Sequence, residues 1–586
     1  MINTKVRNIA IVAHVDHGKT TLVDSLLKQT TKSNKQIENR AMDNLDLEKE
    51  RGITILSKNT AVYYEDIKIN ILDTPGHHDF GGEVERIVNM VEAICLVVDA
   101  NEGVMPQTKF VLDKALKAKL QIIVVLNKMD RPVIRPKAVI DELYELFMNL
   151  NATDEQLDFP IVYASASEGL ASLDEKMLKS SSMDSLLKTI VDYVKPPKVS
   201  EGTLQFQPAI LDYNDYVGRI GIGKIFRGKI TINQMASVKR GEEIINFRIQ
   251  KIYGFDGLNK VELKEASGGD IVAIAGLSDL TVGETVNDQH DVDILPALTI
   301  QKPTIEMLFL VNKSPFAGLE GKFVTSSKLE ERLNKEAQKD VSLIIEKVSN
   351  DSWLVKGRGE LHLSILIETM KREGYEFAVA KPNVITIEEN NIIKEPFELV
   401  TINVPEQSIG SVIELFTSRK GQLLDLQTFN GNSTLLIESP SKSLIGIKNT
   451  FLSITFGEGV INHTFSEYKE LVSNNVNRKT GSLVANNEGE ATAYALHRLE
   501  DRGVMFIEPR DRVYQGMIVG ESNKNNDLHV NVTQGKQLTN VRSATKDATV
   551  VLRKARLMTL EMCMSYINDD ELIEITPKSI RLRKKI

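Results

Sequence analysis

Residues 8–22 read NIAIVAHVDHGKTTL, and this stretch decides the fold of the first domain. An apolar run over 9–13 ends in a loop of small and polar residues that closes on Gly18-Lys19-Thr20. A strand, a Gly-Lys-Thr loop and a helix together form a phosphate cradle. Backbone N–H groups of Asp16, His17, Gly18, Lys19, Thr20 and Thr21 face the phosphates, and the start of the helix adds partial positive charge. Gly18 leaves room for close backbone approach. Lys19 sets a cation on the outer phosphates, and the Thr20 hydroxyl is a ligand for Mg²⁺. Ala13 stands where the usual pattern has its first glycine. Alone, that departure leaves a chance strand-to-helix turn open.

Three later stretches close that alternative. Asp73-Thr74-Pro75-Gly76-His77 follows the apolar run 69–72, Asn127-Lys128-Met129-Asp130 follows 122–126, and Ser165-Ala166 follows 161–163. Each sits at the end of a parallel strand, where open α/β sheets bind ligands. The Asp130 carboxylate accepts from the ring N–H and amino group of guanine; adenine lacks that donor pair, so GTP is selected over ATP. Asp73 holds Mg²⁺ through water, and the Gly76 N–H bonds the γ-phosphate. His77 stands beside the attacking water, where other GTPases place a glutamine. That position favours catalysis over the structural role a lone histidine usually has. The polar stretch 30–60 contains LEKERGITI. Its place between the cradle and DTPGH favours a switch, in which Thr54 reaches Mg²⁺ while the γ-phosphate is present, over a solvated charged helix.

At 586 residues the chain is too long for one core, and four or five domains are expected. Hydrophobic residues at 42% and charged residues at 26% describe a soluble globular protein. No apolar run is long enough to span a membrane, and the start lacks a signal-peptide core. Cys95 and Cys563 lie far apart in apolar surroundings. That argues against a disulfide framework or zinc site and fits a reducing cytosol. A net charge of −8 argues against a basic nucleic-acid coat protein, although local basic patches remain.

The fold class read from the chain is multidomain α/β and β. A P-loop GTPase domain is expected over 1–198, ending in the exposed linker Lys195-Pro196-Pro197-Lys198. Short β segments with glycine turns predict a β-barrel over 199–301, with strands at 217–226 and 271–275. Two β-α-β-β-α-β segments predict ferredoxin-like domains over 302–385 and 395–476. The second of these includes a helix at 444–451. The glycine-rich stretch Gly357-Arg358-Gly359-Glu360-Leu361-His362 lacks the lysine of a nucleotide loop, so it reads as a turn into a helix with a structural His362. A C-terminal α+β domain is expected over 477–586, with helices at 491–501 and 547–566 and strands at 512–520 and 573–576.

AHVDHGKTTL, ERGITI, DTPGHHDFGGEVER and NKMD resemble the GTPase domain of translation factors. AMDNLDLEKERGITILSKNTAV, MPQTKFV and NLNATDEQLDFPIVYASASEGLASLD resemble, more narrowly, the TypA/BipA family of ribosome-associated GTPases. The resemblance implies a ribosome-binding enzyme that converts GTP and water to GDP and phosphate with Mg²⁺, with a role in ribosome assembly or stress-adapted translation. It implies a hydrophobic gate, Val15 and Ile53, that restrains His77 until the sarcin–ricin loop of the large-subunit rRNA draws it in. It assigns the barrel to translation-factor domain II, for which contact with the small subunit and a spacer packed on the GTPase domain both stay open. QGKQLTNVRSA, over 534–544, resembles a family loop that reaches the peptidyl-transferase side, which points to Lys536 and Arg542 as rRNA contacts. The expected partners are thus the ribosome and, as a further candidate, tRNA; no membrane is involved, and a cytoplasmic monomer is expected. About fifteen residues separate the two ferredoxin-like segments, well below domain size. Elongation factor G carries a further domain there, which counts against a translocase. Two alternatives are a LepA-like elongation factor and a GTP-gated ribosome-binding scaffold. The C-terminal sequence favours TypA/BipA over the first.

Overall fold

Odd and even residues of the apolar strands part to opposite faces of the first sheet, because side chains alternate along a strand. The computed structural model describes residues 3–14, 16–30, 48, 58–74, 81–298, 300, 302–429, 431–472, 478–535 and 552–585. The chain divides into two units, 1–301 with 338–341 and 302–337 with 342–586.

In the first unit, β1 (Val6–Ala13), β2 (Lys58–Tyr64), β3 (Ile67–Asp73), β4 (Ala93–Asp99), β5 (Gln121–Asn127), β6 (Ile161–Ser165) and β7 (Leu170–Ser172) form one sheet. Its order is β2-β3-β1-β4-β5-β6-β7. β3, β1, β4, β5 and β6 run parallel, with antiparallel β2 and β7 at the edges. Ile9, Ile11, Cys95, Val97, Ile123 and Val125 pack under Leu22, Leu26, Leu187 and Ile190 of the helices Lys19–Thr30 (α1) and Asp184–Tyr193. Ala10, Val12, Leu96, Val98, Val124 and Leu126 face Ile87, Leu112, Leu143 and Phe147 of three helices on the other side. The parallel strands therefore read as continuous apolar runs, being covered on both faces.

After residue 198 the chain turns to antiparallel strands. Gln205–Asn214 pairs with Gly218–Arg227, which pairs with Ile271–Ala275. They enclose Phe206, Ile225, Val238, Ile252, Val272 and Ile274. Gly223 permits this closure: a Cβ there would stand 1.9 Å from the Gln207 carbonyl oxygen.

The second unit contains the two expected β-α-β-β-α-β patterns. In the first, Ile344–Ser349, Ser352–Gly357, Ile305–Leu310 and Phe377–Val379 lie side by side, with helices Ser326–Lys339 and Glu360–Arg372. In the second, Val460–Glu470, Ile392–Pro405, Asn432–Pro440 and Gln422–Phe429 do the same. His362 is buried, and its Nδ1 accepts from the Arg358 N–H at 3.3 Å.

Three details differ from expectation. The helix expected at 444–451 is two, Ser441–Leu444 and Ile447–Ile454, broken at Gly446 with φ 68°. A Cβ on Gly446 would meet the Cβ of Ser565 at 2.1 Å, so close approach of another element sets the break. The strand expected at 512–520 is Arg512–Val513 and Met517–Ser522, interrupted by Gly516 at φ 89°. Of the helix expected at 547–566, residues 547–551 lie outside the described residues, and the described part is helical only over Leu560–Tyr566, capped by Thr559. Residues 552–559 are neither helix nor strand; there Arg553 N–H donates to Glu500 and Arg556 N–H to the Met505 carbonyl.

The C-terminal strands also continue an earlier sheet. Glu571–Ile575 pairs with Phe377–Val379, so the first ferredoxin-like sheet runs on through Ile580–Lys584 and Met517–Ser522. Leu560, Cys563, Met564, Ile573 and Ile575 share one core with Phe309, Trp353 and Phe377. Both cysteines are buried and free, and burial pushes each thiol up to about 12.

Candidate functional site

β1 ends the apolar run at Ala13, and the chain turns through Asp16 at φ 63° and Gly18 at φ 90° before α1 begins at Lys19. Leu22 N–H then bonds the Gly18 carbonyl at 3.0 Å, the first turn of α1. The loop is fixed from the side by Asn127 at the end of β5. Its Nδ2 donates to the His17 carbonyl at 2.9 Å, and its Oδ1 accepts from Ala166 N–H at 3.0 Å. One amide therefore joins the cradle to the Ser165-Ala166 loop. A Cβ on Gly18 would lie 2.3 Å from Asn127 Nδ2.

Lys19 is buried with its Nζ 2.9 Å from Asp73 Oδ1, and it also donates to the Thr74 carbonyl. Thr74 Oγ1 bonds the Ile11 carbonyl at 2.9 Å. The ends of β1 and β3 are thus tied together beneath the cradle. Thr20 is half-buried in the first turn of α1, and Thr21 is exposed.

Asp130 is exposed and preformed. Its carboxylate accepts from Ser165 Oγ at 2.9 Å and from Ser167 Oγ at 3.4 Å. Lys128 adopts φ 62°, and Met129 N–H reaches the Ala164 carbonyl at 3.1 Å. So Asn127, Lys128, Asp130, Ser165 and Ala166 converge beside the loop of Asp16, His17, Gly18, Lys19, Thr20 and Thr21. Asp73 closes the other side. Val15, Ile53, Thr54, Gly76, His77, Lys536 and Arg542 lie outside the described residues.

A set of charges beside the site was not read from the sequence. Asp99, at the end of β4, is buried, 2.9 Å from Lys128 Nζ and 3.1 Å from Arg131. Burial alone would raise its pKa; the bonds from Lys128 and the Asn101 N–H outweigh that and hold it below its ordinary value. His17 Nδ1 accepts from Asp99 N–H at 3.3 Å, and Nε2 faces Glu102 at 3.5 Å. That contact, chiefly, lowers the Glu102 pKa. The available signal was a carboxylate ending an apolar strand, as at Asp73.

Comparison with known proteins matches residues 4–196 to the elongation factor Tu GTP binding domain and 218–286 to elongation factor Tu domain 2. Residues 392–479 match the elongation factor G C-terminus, and 480–586 match the TypA/BipA C-terminal domain. The large ribosomal subunit assembly factor BipA of Bacillus subtilis (strain 168) is 55% identical over 592 residues, covering 100% of this chain and 97% of that protein. The chain belongs to the TypA/BipA family. The protein of the same description from Escherichia coli (strain K12) is 50% identical, covering 99% of this chain and 97% of that one. A crystal structure from Thermus thermophilus is 15% identical with a TM-score of 0.55, over 80% of this chain and 98% of that chain, and shows the fold alone. As a TypA/BipA protein with an elongation factor Tu GTP binding domain, the chain is a translational GTPase. Among the described residues, no helix is long and apolar enough to cross a membrane.

Proposed function

We propose that this GTPase binds the large ribosomal subunit, alone or in the 70S ribosome, in its GTP state, acts in the assembly of that subunit in the cytoplasm, and leaves after hydrolysis. The observation that carries this reading is full-length identity to proteins named large ribosomal subunit assembly factors, C-terminal domain included.

Each residue has a separate part in this reading. Backbone N–H groups from Asp16 to Thr21 and the Lys19 ammonium bind the phosphates. Asp130 accepts from the guanine edge, held by Ser165, while Asn127 fixes the Ala166 backbone beside it. The Thr20 hydroxyl and the buried Asp73 carboxylate are hard oxygen donors flanking the cradle. Such a set suits Mg²⁺, which takes few protein ligands and fills its shell with phosphate and water. Thr54 is the third residue proposed to hold it. When bound, the ion offsets charge on the outer phosphates. Gly76 N–H bonds the γ-phosphate, and His77 orients the attacking water. Val15 and Ile53 keep His77 away until the sarcin–ricin loop engages it. The barrel faces the small subunit, and Lys536 and Arg542 contact large-subunit rRNA phosphates near bound tRNA.

Sedimentation with ribosomes and with isolated large subunits, in a non-hydrolysable GTP analogue or GDP, tests the reading. The analogue is expected to favour binding. Replacing Lys536 and Arg542 with alanine lowers the slope of log affinity against log salt by roughly one per lost phosphate contact, with GTP affinity unchanged. Equal, weak binding in both nucleotides contradicts the reading.

A further inference from the structure

The loop Gly268-Gly269-Asp270 of the barrel reaches the opposite end of the sheet from the nucleotide loops. Lys68 Nζ lies 2.8 Å from Asp270 Oδ1 and 2.9 Å from Oδ2. Asn70 Nδ2 donates to Asp270 Oδ1 at 3.0 Å and to Asn8 Oδ1 at 2.8 Å. Asn8 Nδ2 in turn donates to the Gly269 carbonyl and to Glu92 Oε2, both at 2.9 Å. Glu92 also pairs with Lys224 of the barrel. Asn8 and Asn70 are fully buried and stand opposite each other in the β1–β3 register. A second link holds β2: Gly257 N–H donates to the Ala61 carbonyl at 2.8 Å.

These bonds tie the beginnings of β1, β3 and β4 to one barrel loop. The ends of the same strands carry the cradle, Asp73 and Asp99. In the observed register Ile11 faces Asp73, which sets that carboxylate against Lys19. A slip of β3 against β1 moves Asp73 away from Lys19, and a buried hydrogen-bonded ladder resists such a slip. We propose that Asp270 is a positioning residue for GTP hydrolysis, in which the barrel fixes the register of β3 through Lys68 and Asn70. The proposal rests on the strand-end loops being the GTP site.

The test is steady-state GTP hydrolysis by the full chain without ribosomes, beside a direct GTP titration. Asp270→Asn keeps the side-chain shape and removes the ion pair; Lys68→Gln removes it from the other side. Both are expected to lower kcat on the order of tenfold, as a misplaced catalytic array does, with KM and GTP affinity within about twofold of wild type on the same ground. The reversed pair, Lys68→Asp with Asp270→Lys, recovers most of the loss, which a purely destabilising substitution does not. Glu262→Ala, which breaks the exposed barrel pair with Lys251, leaves kcat unchanged. Either single variant, folded with a wild-type melting transition and wild-type kcat, overturns the proposal. So does a loss that follows GTP affinity alone. A wild-type chain that fails to bind GTP overturns the site reading instead.

Discussion

In the proposed reading, Asp130 is the carboxylate that accepts from the guanine edge. Ser165 and Ser167 hold it in place, so Asp130→Asn keeps a side chain of the same shape while replacing an acceptor with a donor. GTP affinity should fall roughly 10–100-fold, the scale of a lost charged hydrogen bond, and xanthosine nucleotides should gain. A nucleotide titration measures both, and unchanged GTP affinity counts against the role. That Asp130, Asn127 and Ser165 come together was legible because each follows an apolar strand of one sheet. Asp99 was not, although it also ends such a strand. Its partners Lys128 and Arg131 come from the next strand's loop, and only the fold brings them together.

At the scale of elements, the β1–α1 turn depends on Gly18. Gly18→Ala meets two obstacles: φ of 90°, and a Cβ 2.3 Å from Asn127 Nδ2. The Asn127 side chain must swing away, which releases the His17 carbonyl. The variant should lose more than about 1 kcal/mol of stability and bind GTP weakly. Thermal melting with nucleotide titration reads both, and wild-type values in each contradict the account of the turn. Most elements were legible because alternation and helical spacing repeat over their full length. The break at Gly446 was not, because its cause is Ser565, more than a hundred residues away in sequence. Residues 552–559 leave the helical pattern for a similar reason: the Arg553 and Arg556 N–H groups donate to Glu500 and to the Met505 carbonyl, distant in sequence, instead of to carbonyls one turn back.

At the scale of the molecule, the sheet that joins the first ferredoxin-like segment to the C-terminal segment could not be read from the sequence, since Phe377 pairs with Ile575. Buried polar groups seal this seam. Tyr514 Oη donates to Glu574 at 2.7 Å, and Asn312 and Ser314 satisfy the same carboxylate. Beside it, Glu320 and Asp527 are held below their ordinary values. Burial would raise each, but Thr576 and Arg581 outweigh it for Glu320, and Lys584 and the Ser482 N–H do so for Asp527. A depressed folded pKa gives stability above the unfolded value, about 4 for a carboxylate, and that stability is lost as pH falls through the folded value. The double variant Glu320→Gln with Asp527→Asn should therefore melt below wild type at pH 7, with the gap closing as pH falls through the carboxylate range. A gap independent of pH contradicts this. The most direct measurement of function is the initial rate of GTP hydrolysis by the full chain, alone and with large ribosomal subunits or 70S ribosomes, for wild type and His77→Ala. The predicted result is strong stimulation of wild type, with the variant binding GTP normally but losing roughly 10²–10⁴-fold of the stimulated rate; turnover that ignores ribosomal particles, or full stimulation of the variant, would contradict it.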